Sequence, residues 1–264
     1  MVKMHKPFHF LLSMLLLPVL SLSVKAQFKR FPEQGIITFE KKVNMYGLIR
    51  DEMKKRPNDT FLKMMFDEYQ KKKPQFEVSK STLTFSKELT LFTPIESEAS
   101  GSDFFGGSPA TMQNNIIATN TVARTSISQK KVFEELYLVK DSVRKINWKI
   151  TDEIRNIAGY DCRRANALIM DSVYVVAFYT DIIPVSGGPE SFTGLPGMIL
   201  GVALPYEHIT WFATQIVDQP MPADKLKAPV KGKPLDYNGL VSTLKSALKS
   251  WGSYAQESLK AFLL

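Results

Sequence analysis

The sequence predicts a mainly β fold of the α+β class. We expect a curved antiparallel sheet or open barrel, with a helical insertion and a carboxy-terminal helix packed on it. Apolar and polar residues alternate along many short segments, which is typical of half-buried strands. These segments follow one another with few helical patterns between them, and this favours antiparallel pairing. The 264 residues are 44% hydrophobic, which is sufficient for a substantial core.

The first strand pattern begins at Gly35. Ile37, Phe39 and Val43 fall on one face of this strand, and polar residues fall on the other. Lys41 interrupts the apolar face. The pattern predicts a strand with one buried face and one solvated face.

A helical insertion is predicted over residues 48–73. The sequence Asn58-Asp59-Thr60 offers an N-cap, and Pro74 follows a run of lysines at the other end. Apolar residues recur at helical spacing between these points, and we expect them to form the buried face. They are Phe61, Met64, Met65 and Tyr69.

The central and carboxy-terminal parts of the chain contain most of the strand signals. Residues 94–113 are rich in Ser, Gly, Pro and acidic residues and predict a surface loop. Strands are predicted over 132–139, 144–150 and Val173–Thr180, among others. The last of these is apolar on both faces, so we expect it to be central in the sheet.

The period changes to helical near the carboxyl end. Apolar residues from Leu240 to Phe262 step by three or four, which predicts a helix over 236–263. Asp236 or Asn238 is the expected N-cap. Gly252 lies inside the pattern and weakens it, at a cost of about 1 kcal/mol relative to alanine.

The amino terminus has the pattern of a signal peptide. Lys3 and Lys6 precede an uncharged apolar run, and small residues follow at Val24 and Ala26. We expect cleavage after Ala26, a single mature domain over 27–264, and export to the periplasm or the outer membrane. No later apolar run reaches the roughly 20 residues that a membrane-spanning helix requires.

Charge and compartment exclude a nucleic-acid partner. Removal of residues 1–26 lowers the formal charge from +8 to +5, because three lysines and no acidic residue leave. No block of Lys and Arg accompanies a nucleic-acid-binding motif. The oligomeric state is not determined by the sequence.

Cysteine and histidine are scarce in the predicted mature chain. Cys162 is the single cysteine, so no intramolecular disulfide is possible, and His208 is the single mature histidine. Zinc sites with several Cys or His ligands are excluded within one subunit. Cys162 with His208 is the one possible thiol–imidazole pair. We expect a buried thiol and an ordinary strand-end histidine, with no catalytic residue, metal or cofactor assigned.

Acidic residues leave a hydrolase as an alternative. Asp161, Asp171, Asp181 and Glu190 lie near strand ends or in the Gly/Pro-rich segment 181–197. A carboxylate pair there would suit acid/base chemistry. Their spacing singles out no pair.

A Gly-Leu-Pro-Gly sequence followed by apolar residues is the most specific motif. Pro196 and Gly197 suit the two central positions of a type II turn that leads into a buried strand. The motif residues are Gly194, Leu195, Pro196, Gly197, Met198 and Ile199.

This motif resembles the signature of the GLPGLI family of bacterial exported proteins. Trp148 and the Gly159-Tyr160-Asp161-Cys162 sequence resemble other family segments, and Met198 replaces the family's leucine. The resemblance implies an exported, sheet-rich envelope protein, and it brings no catalytic residue or substrate.

The leading functional hypothesis is a non-enzymatic envelope protein that binds an apolar ligand or a partner protein. Aromatic residues of the predicted sheet are the candidate ligand-binding residues. They are Phe178, Tyr179, Phe192, Trp211 and Phe212. A hydrolase using acids near 181–197 and an accessory subunit of an outer-membrane assembly are the alternatives.

Overall fold

Twelve strands form one open sheet in the computed structural model, which describes residues 31–96, 109–112, 115–252 and 254–264. Phe31–Leu264 is one compact unit. The predicted signal peptide and much of the predicted loop 94–113 lie outside the described residues. The strands are β1 Gly35–Asn44, β2 Phe76–Phe85, β3 Leu89–Ile95, β4 Ile116–Asn120, β5 Thr125–Val132, β6 Glu135–Ser142, β7 Lys149–Ile157, β8 Tyr160–Ile169, β9 Val173–Thr180, β10 Met198–Leu204, β11 Ile209–Asp218 and β12 Lys233–Leu235. The helices are α1 Met45–Lys55, α2 Thr60–Lys72, α3 Pro109–Met112, α4 Tyr237–Ala247 and α5 Tyr254–Leu263, with a 3-10 turn at Ala223–Leu226.

The predicted mainly β fold with an antiparallel sheet is confirmed, with one parallel edge. The strand order is β12-β6-β5-β4-β3-β2-β1-β11-β10-β9-β8-β7. Short turns join most sequence neighbours, and short turns permit antiparallel pairing. The short β12 pairs in parallel with β6, which makes the sheet mixed.

The connection between β6 and β7 requires the sheet to curve strongly. These strands are ten positions apart in the sheet, which is about 48 Å in a flat sheet at 4.8 Å per strand. The chain from Ser142 to Lys149 spans at most about 25 Å when fully extended. The two halves of the sheet therefore curl towards each other, and the inner face of β4–β6 faces the end of β8.

Two strand predictions were wrong. Residues 132–139 are not one strand, because Phe133 adopts a φ of +56° in the turn between β5 and β6. Residues 144–148 are not a strand either, since they form the connection that crosses between the two halves of the curved sheet. The predicted central strand, β9, is buried along almost its whole length.

The helical insertion consists of two helices, and its buried face differs from the predicted one. Of the three N-cap candidates, Asp59 caps α2, because its side chain accepts the Leu62 N–H at 2.9 Å. The buried residues of α2 are Leu62, Phe66 and Tyr69, whereas Phe61 and Met64 are more than half exposed. Both sets have helical spacing. The ring of Tyr46 on α1 contacts Phe66 and Tyr69, and this partner selects the buried face.

The predicted carboxy-terminal helix is divided into α4 and α5. Asp236 caps α4 through the Gly239 N–H at 2.7 Å. Gly252 has a φ of +57° between the two helices, a conformation that ends a helix readily when the residue is glycine. Both helices pack over β5 and β6. They form a second apolar cluster, separate from the main core, that contains Val132, Val139, Leu240, Leu244, Leu248, Phe262 and Leu263.

Candidate functional site

The Gly/Pro motif forms a fixed loop against the core. The Gly197 N–H donates to the Leu195 carbonyl at 2.8 Å, which is the bond of a γ-turn around Pro196 and not of the expected type II turn. Gly197 has a φ of +145°, and a Cβ there would lie 2.1 Å from the Thr180 carbonyl oxygen. Leu195, Met198 and Ile199 are buried, whereas Gly194 and Pro196 are exposed. The motif therefore shapes a buried connection and presents no reactive side chain.

Of the five aromatic residues predicted to bind a ligand, four are buried and Phe212 is partly buried. Phe192 lies 6.1 Å from Trp211 and Phe178 lies 6.4 Å from Phe212, measured between ring centroids. Tyr179 is also buried, and it follows Phe178 on β9, so the two rings point to opposite faces of the sheet. Arg155 lies over the rings of Phe178 and Phe212. None of the five lines the large cavity described below. Their ligand-binding role stays a prediction.

Cys162 and His208 have separate partners. Cys162 is fully buried, its Sγ lies 3.4 Å from the Tyr160 carbonyl oxygen, and burial raises the pKa of the thiol to about 12. His208 Nε2 lies 2.7 Å from Asp51 Oδ2, which connects the turn before β11 to α1. A thiolate nucleophile requires a lowered pKa and an adjacent base. Here the pKa of the Cys162 thiol is raised and His208 is paired with Asp51, so neither requirement is met.

A cavity of about 540 Å³ lies between the inner face of β4–β6, the end of β8 and the start of α4. Its apolar walls come from both clusters, with Ile117 and Ile169 in the main core and Val139, Leu240 and Leu263 in the second. The cavity therefore lies along the boundary between the two apolar clusters. Its polar lining residues are Thr119, Ser126, Ser128, Lys130, Asp141, Ser142, Arg144, Lys145, Asn147, Ser191, Thr193, Tyr237 and Asn238.

Two cationic side chains in this cavity are held by the end of α5. Lys130 Nζ donates to the Phe262 carbonyl oxygen at 3.2 Å, and Arg144 Nη2 donates to that of Leu263. Lys130 is 5% exposed, and its burial lowers the pKa of the ammonium group to about 8. Burial also lowers the pKa of Arg144. Both residues bind main-chain oxygens at the carboxyl end of a helix, where cations are favoured.

Asp141 is the one acidic side chain that lines the cavity in the described part of the chain. Its Oδ2 accepts the Tyr237 N–H at 3.0 Å and its Oδ1 accepts the Ser142 N–H at 2.6 Å. These hydrogen bonds lower the pKa of the carboxyl. Asp141 therefore stays ionised and orients the start of α4.

A second group of buried charges lies beside this cavity. Lys41 is 7% exposed with Nζ 5.2 Å from the centroid of the Trp211 ring. Glu190 is 6% exposed and accepts a hydrogen bond from Asn115 Nδ2 at 2.9 Å. Burial raises the pKa of Glu190, and the charges of Lys41 and Lys130 oppose this rise. Among the predicted acidic candidates, Glu190 is buried, whereas Asp161, Asp171 and Asp181 are exposed.

Sequence reasoning did not identify Lys130, Arg144 and Asn115 as site residues. Lys41 gave a signal, since it interrupts the apolar face of β1. Lys130 gave no such signal in the sequence. Ser126 and Ser128 precede it on the same face of β5, and this run of polar residues resembles a solvated face. Arg144 was placed in a strand that does not form.

The described residues hold neither a metal-ligand cluster nor a membrane-crossing helix. They contain no group of three or more His, Cys, Asp or Glu side chains arranged to hold a metal ion. No helix among them has the length and apolar character needed to cross a membrane.

Comparison with known proteins identifies a short family match. The model of the family described as "Protein of unknown function (Porph_ging)" matches residues 168–201, which include β9 and the motif 194–199. No curated protein matches the chain.

The chain is also similar to two crystal structures of PNGF-II, in space groups P21 and C2. It is 14% identical to each, with a TM-score of 0.49. The similarity covers 83% and 86% of this chain but 34% and 33% of the PNGF-II chains. This chain therefore spans about a third of the length of those structures.

Proposed function

We propose that this protein is an exported GLPGLI-family member and a non-enzymatic binding protein of the bacterial cell envelope. Its ligand is a small molecule with an apolar body, which enters the cavity between β4–β6 and α4. One observation carries this proposal. The cavity of about 540 Å³ lies where the two apolar clusters meet and has walls from both.

The size and lining of the cavity support a small-molecule ligand. Known ligand pockets have volumes of about 300–1,000 Å³ and combine apolar walls with a few polar groups. Leu168 and Lys145 are exposed at the rim, so the cavity is accessible from solvent. Val139, Leu240 and Leu263 provide buried apolar surface inside it.

The state of Asp141 supports binding over hydrolysis. Acid/base catalysis by carboxyl groups uses a pair, with one pKa raised so that the group holds a proton near neutral pH. Asp141 has a lowered pKa and donates no proton at that pH. Glu190 has a raised pKa but does not line this cavity.

Binding of a neutral apolar dye tests the proposal. N-phenyl-1-naphthylamine fluoresces strongly in apolar surroundings, and we expect saturable fluorescence with the purified protein. Ser128→Trp places a large ring in the cavity and should abolish the signal. Gln129→Trp adds the same ring on the opposite face of β5 and should preserve it, because consecutive strand residues point to opposite faces.

Ser126→Trp is a second variant that fills the cavity from the same strand face, in case Ser128→Trp fails to fold. Circular dichroism verifies the fold of each variant. Equal dye binding by a folded cavity-filled variant and by Gln129→Trp would place the dye elsewhere and overturn the proposal. Absence of dye binding to the unmodified protein would also overturn it.

A further inference from the structure

The lining of the cavity has an excess of positive charge. Lys130, Arg144 and Lys145 line it, against Asp141 as the single acidic side chain among the described residues. Both oxygens of Asp141 already accept main-chain hydrogen bonds. Glu190 lies close enough to oppose the shift in the pKa of Lys130, but it acts on Lys41 as well. The Glu190 carboxylate therefore offsets only one of the two buried lysine charges, and Arg144 adds a further positive charge.

Arg144 is held in place but does not use all of its donors. Nη2 donates to the Leu263 carbonyl oxygen, and the guanidinium carbon lies 5.8 Å from the centroid of the Tyr237 ring. Nη1 is buried and has no hydrogen-bond partner in the part of the chain that the structure describes. An unpaired donor on a buried charged group is costly. Neighbouring atoms cover Nη1, so a ligand oxygen would remove this cost by displacing one of them.

Lys130 places a second cation beside the first. The two side chains donate to the carbonyl oxygens of consecutive residues, Phe262 and Leu263. Their charges interact, since Arg144 contributes to the lowered pKa of Lys130. Lys130 and Arg144 each use one donor to hold a carbonyl oxygen at the end of α5. An ammonium group has three N–H donors and a guanidinium has five, so both have donors left for a ligand.

We propose that the ligand carries an acidic group, a carboxylate or a phosphate monoester, and that Arg144 and Lys130 bind it. This inference rests on the proposed function and specifies the chemistry of the ligand's polar end. The acid oxygens accept hydrogen bonds from Arg144 Nη1 and Lys130 Nζ. The serine and threonine hydroxyls of β4 and β5 provide further donors along the same wall, and the apolar body lies against Val139, Leu240 and Leu263.

Matched ligands separate the acidic group from the apolar body. Decanoate, decyl phosphate and decanol share one alkyl chain, and each is titrated against the dye-loaded protein to measure displacement. We expect decanoate or decyl phosphate to displace the dye at concentrations about tenfold or more below decanol, because hydrogen bonds to charged groups are stronger than those between neutral groups. Whichever of the two acids displaces the dye at the lower concentration identifies the preferred acidic group.

Matched variants test the role of Arg144. Arg144→Gln retains an amide donor for the Leu263 oxygen and removes the charge, and it should weaken binding of the preferred acid about tenfold or more. Decanol and dye binding should fall much less than acid binding, because neither ligand carries a charge. Lys131→Gln removes the same charge from an exposed residue on the opposite face of β5, outside the cavity lining, and should leave acid binding within about twofold, because exposed charges are weakly coupled.

The outcomes distinguish this inference from the proposed function. Dye binding in the cavity, combined with equal displacement by acid and alcohol, would overturn the inference and leave the binding function standing. Equal acid affinity in folded Arg144→Gln and Lys131→Gln would likewise overturn the inference and leave the binding function standing. If Arg144→Gln fails to fold, Lys130→Gln provides the second test with the same expected loss. Failure of the dye to bind the unmodified protein would overturn both proposals.

Discussion

Trp148 and Thr193 join two distant parts of the chain, with the indole Nε1 of Trp148 donating to the Thr193 carbonyl oxygen at 2.9 Å. Trp148 ends the connection that crosses from β6 to β7, and Thr193 immediately precedes the Gly/Pro motif. Arg144 lies in the same connection, four residues earlier. This hydrogen bond therefore fixes the segment that carries a cavity cation to the loop that packs on the core.

Trp148→Phe should lower the free energy of unfolding by about 1–2 kcal/mol, because it retains an aromatic ring but leaves the Thr193 oxygen without its donor. Chemical denaturation with tryptophan-independent detection, such as circular dichroism, measures the change. Trp251→Phe is the control, since that residue is 41% exposed. A loss no greater than that of the control would show that this hydrogen bond contributes little.

Gly197→Ala should destabilise the protein by about 3 kcal/mol or more. The new Cβ would lie 2.1 Å from the Thr180 carbonyl oxygen, and the φ of +145° is unfavourable for alanine. Gly194→Ala is the matched control three residues away. Its φ is +96°, but the nearest atom to its Cβ would be 3.5 Å away, so only the backbone cost of about 1–2 kcal/mol applies.

Comparing the two melting temperatures separates steric overlap from backbone strain at the motif. We expect the larger fall for Gly197→Ala. Equal falls would mean that the backbone relaxes around Thr180 and that close packing does not account for the second glycine of the motif.

Cys162 should not react in the folded protein. Its side chain is fully buried, and its pKa near 12 leaves almost no thiolate at pH 8. Incubation with iodoacetamide followed by intact-mass measurement should show no adduct under native conditions. Full modification in denaturant serves as the positive control, and rapid native labelling would contradict the buried placement of this thiol.

Lys130 should make the stability rise with pH. Its folded-state pKa is about 8, below the usual 10.5, so the unfolded chain binds more protons at this residue between these two pH values. The charged, buried form costs up to about 3 kcal/mol below pH 8, and this cost disappears as the pH approaches 10.5. Lys130→Met should show a smaller increase in unfolding free energy between pH 7 and 10 than the unmodified protein.

Lys131→Met is the control for this pH dependence, because Lys131 is the exposed neighbour on the opposite face of β5. Denaturant titrations at pH 7, 8.5 and 10 give the unfolding free energy of the unmodified protein and of both variants, and the slope of this free energy against pH is compared among the three proteins. Identical slopes for Lys130→Met and Lys131→Met would show that burial does not shift the pKa of Lys130 as described.

The sequence predicted those elements whose patterns are local. β9 and β10 were identified from apolar runs, and the N-cap positions of α2 and α4 were narrowed to a few candidates because capping depends on residues three positions apart. The segment 144–150 was misjudged for the opposite reason. Its alternation fits a strand, but the chain must cross between sheet halves there, and that requirement follows from the strand order.

The residues of the candidate site were harder to predict from the sequence than the strands and caps. Lys130 and Arg144 are 14 positions apart, on a strand and in a connection, and each has the appearance of a surface cation. They lie together only because α5, more than 100 residues later, places two carbonyl oxygens between them. The predicted aromatic residues were easier to select, since aromatic side chains in strands are readily recognised.

The sequence by itself determined the fold class, the strand content and the family resemblance of the Gly/Pro motif. These properties depend on residue periodicity and on turn chemistry within a few positions. The tertiary structure decided the curvature of the sheet, the buried face of α2, the cavity and the pairing of its two cations. These depend on contacts between residues far apart in the chain, which local patterns do not specify because many long-range arrangements satisfy the same alternation.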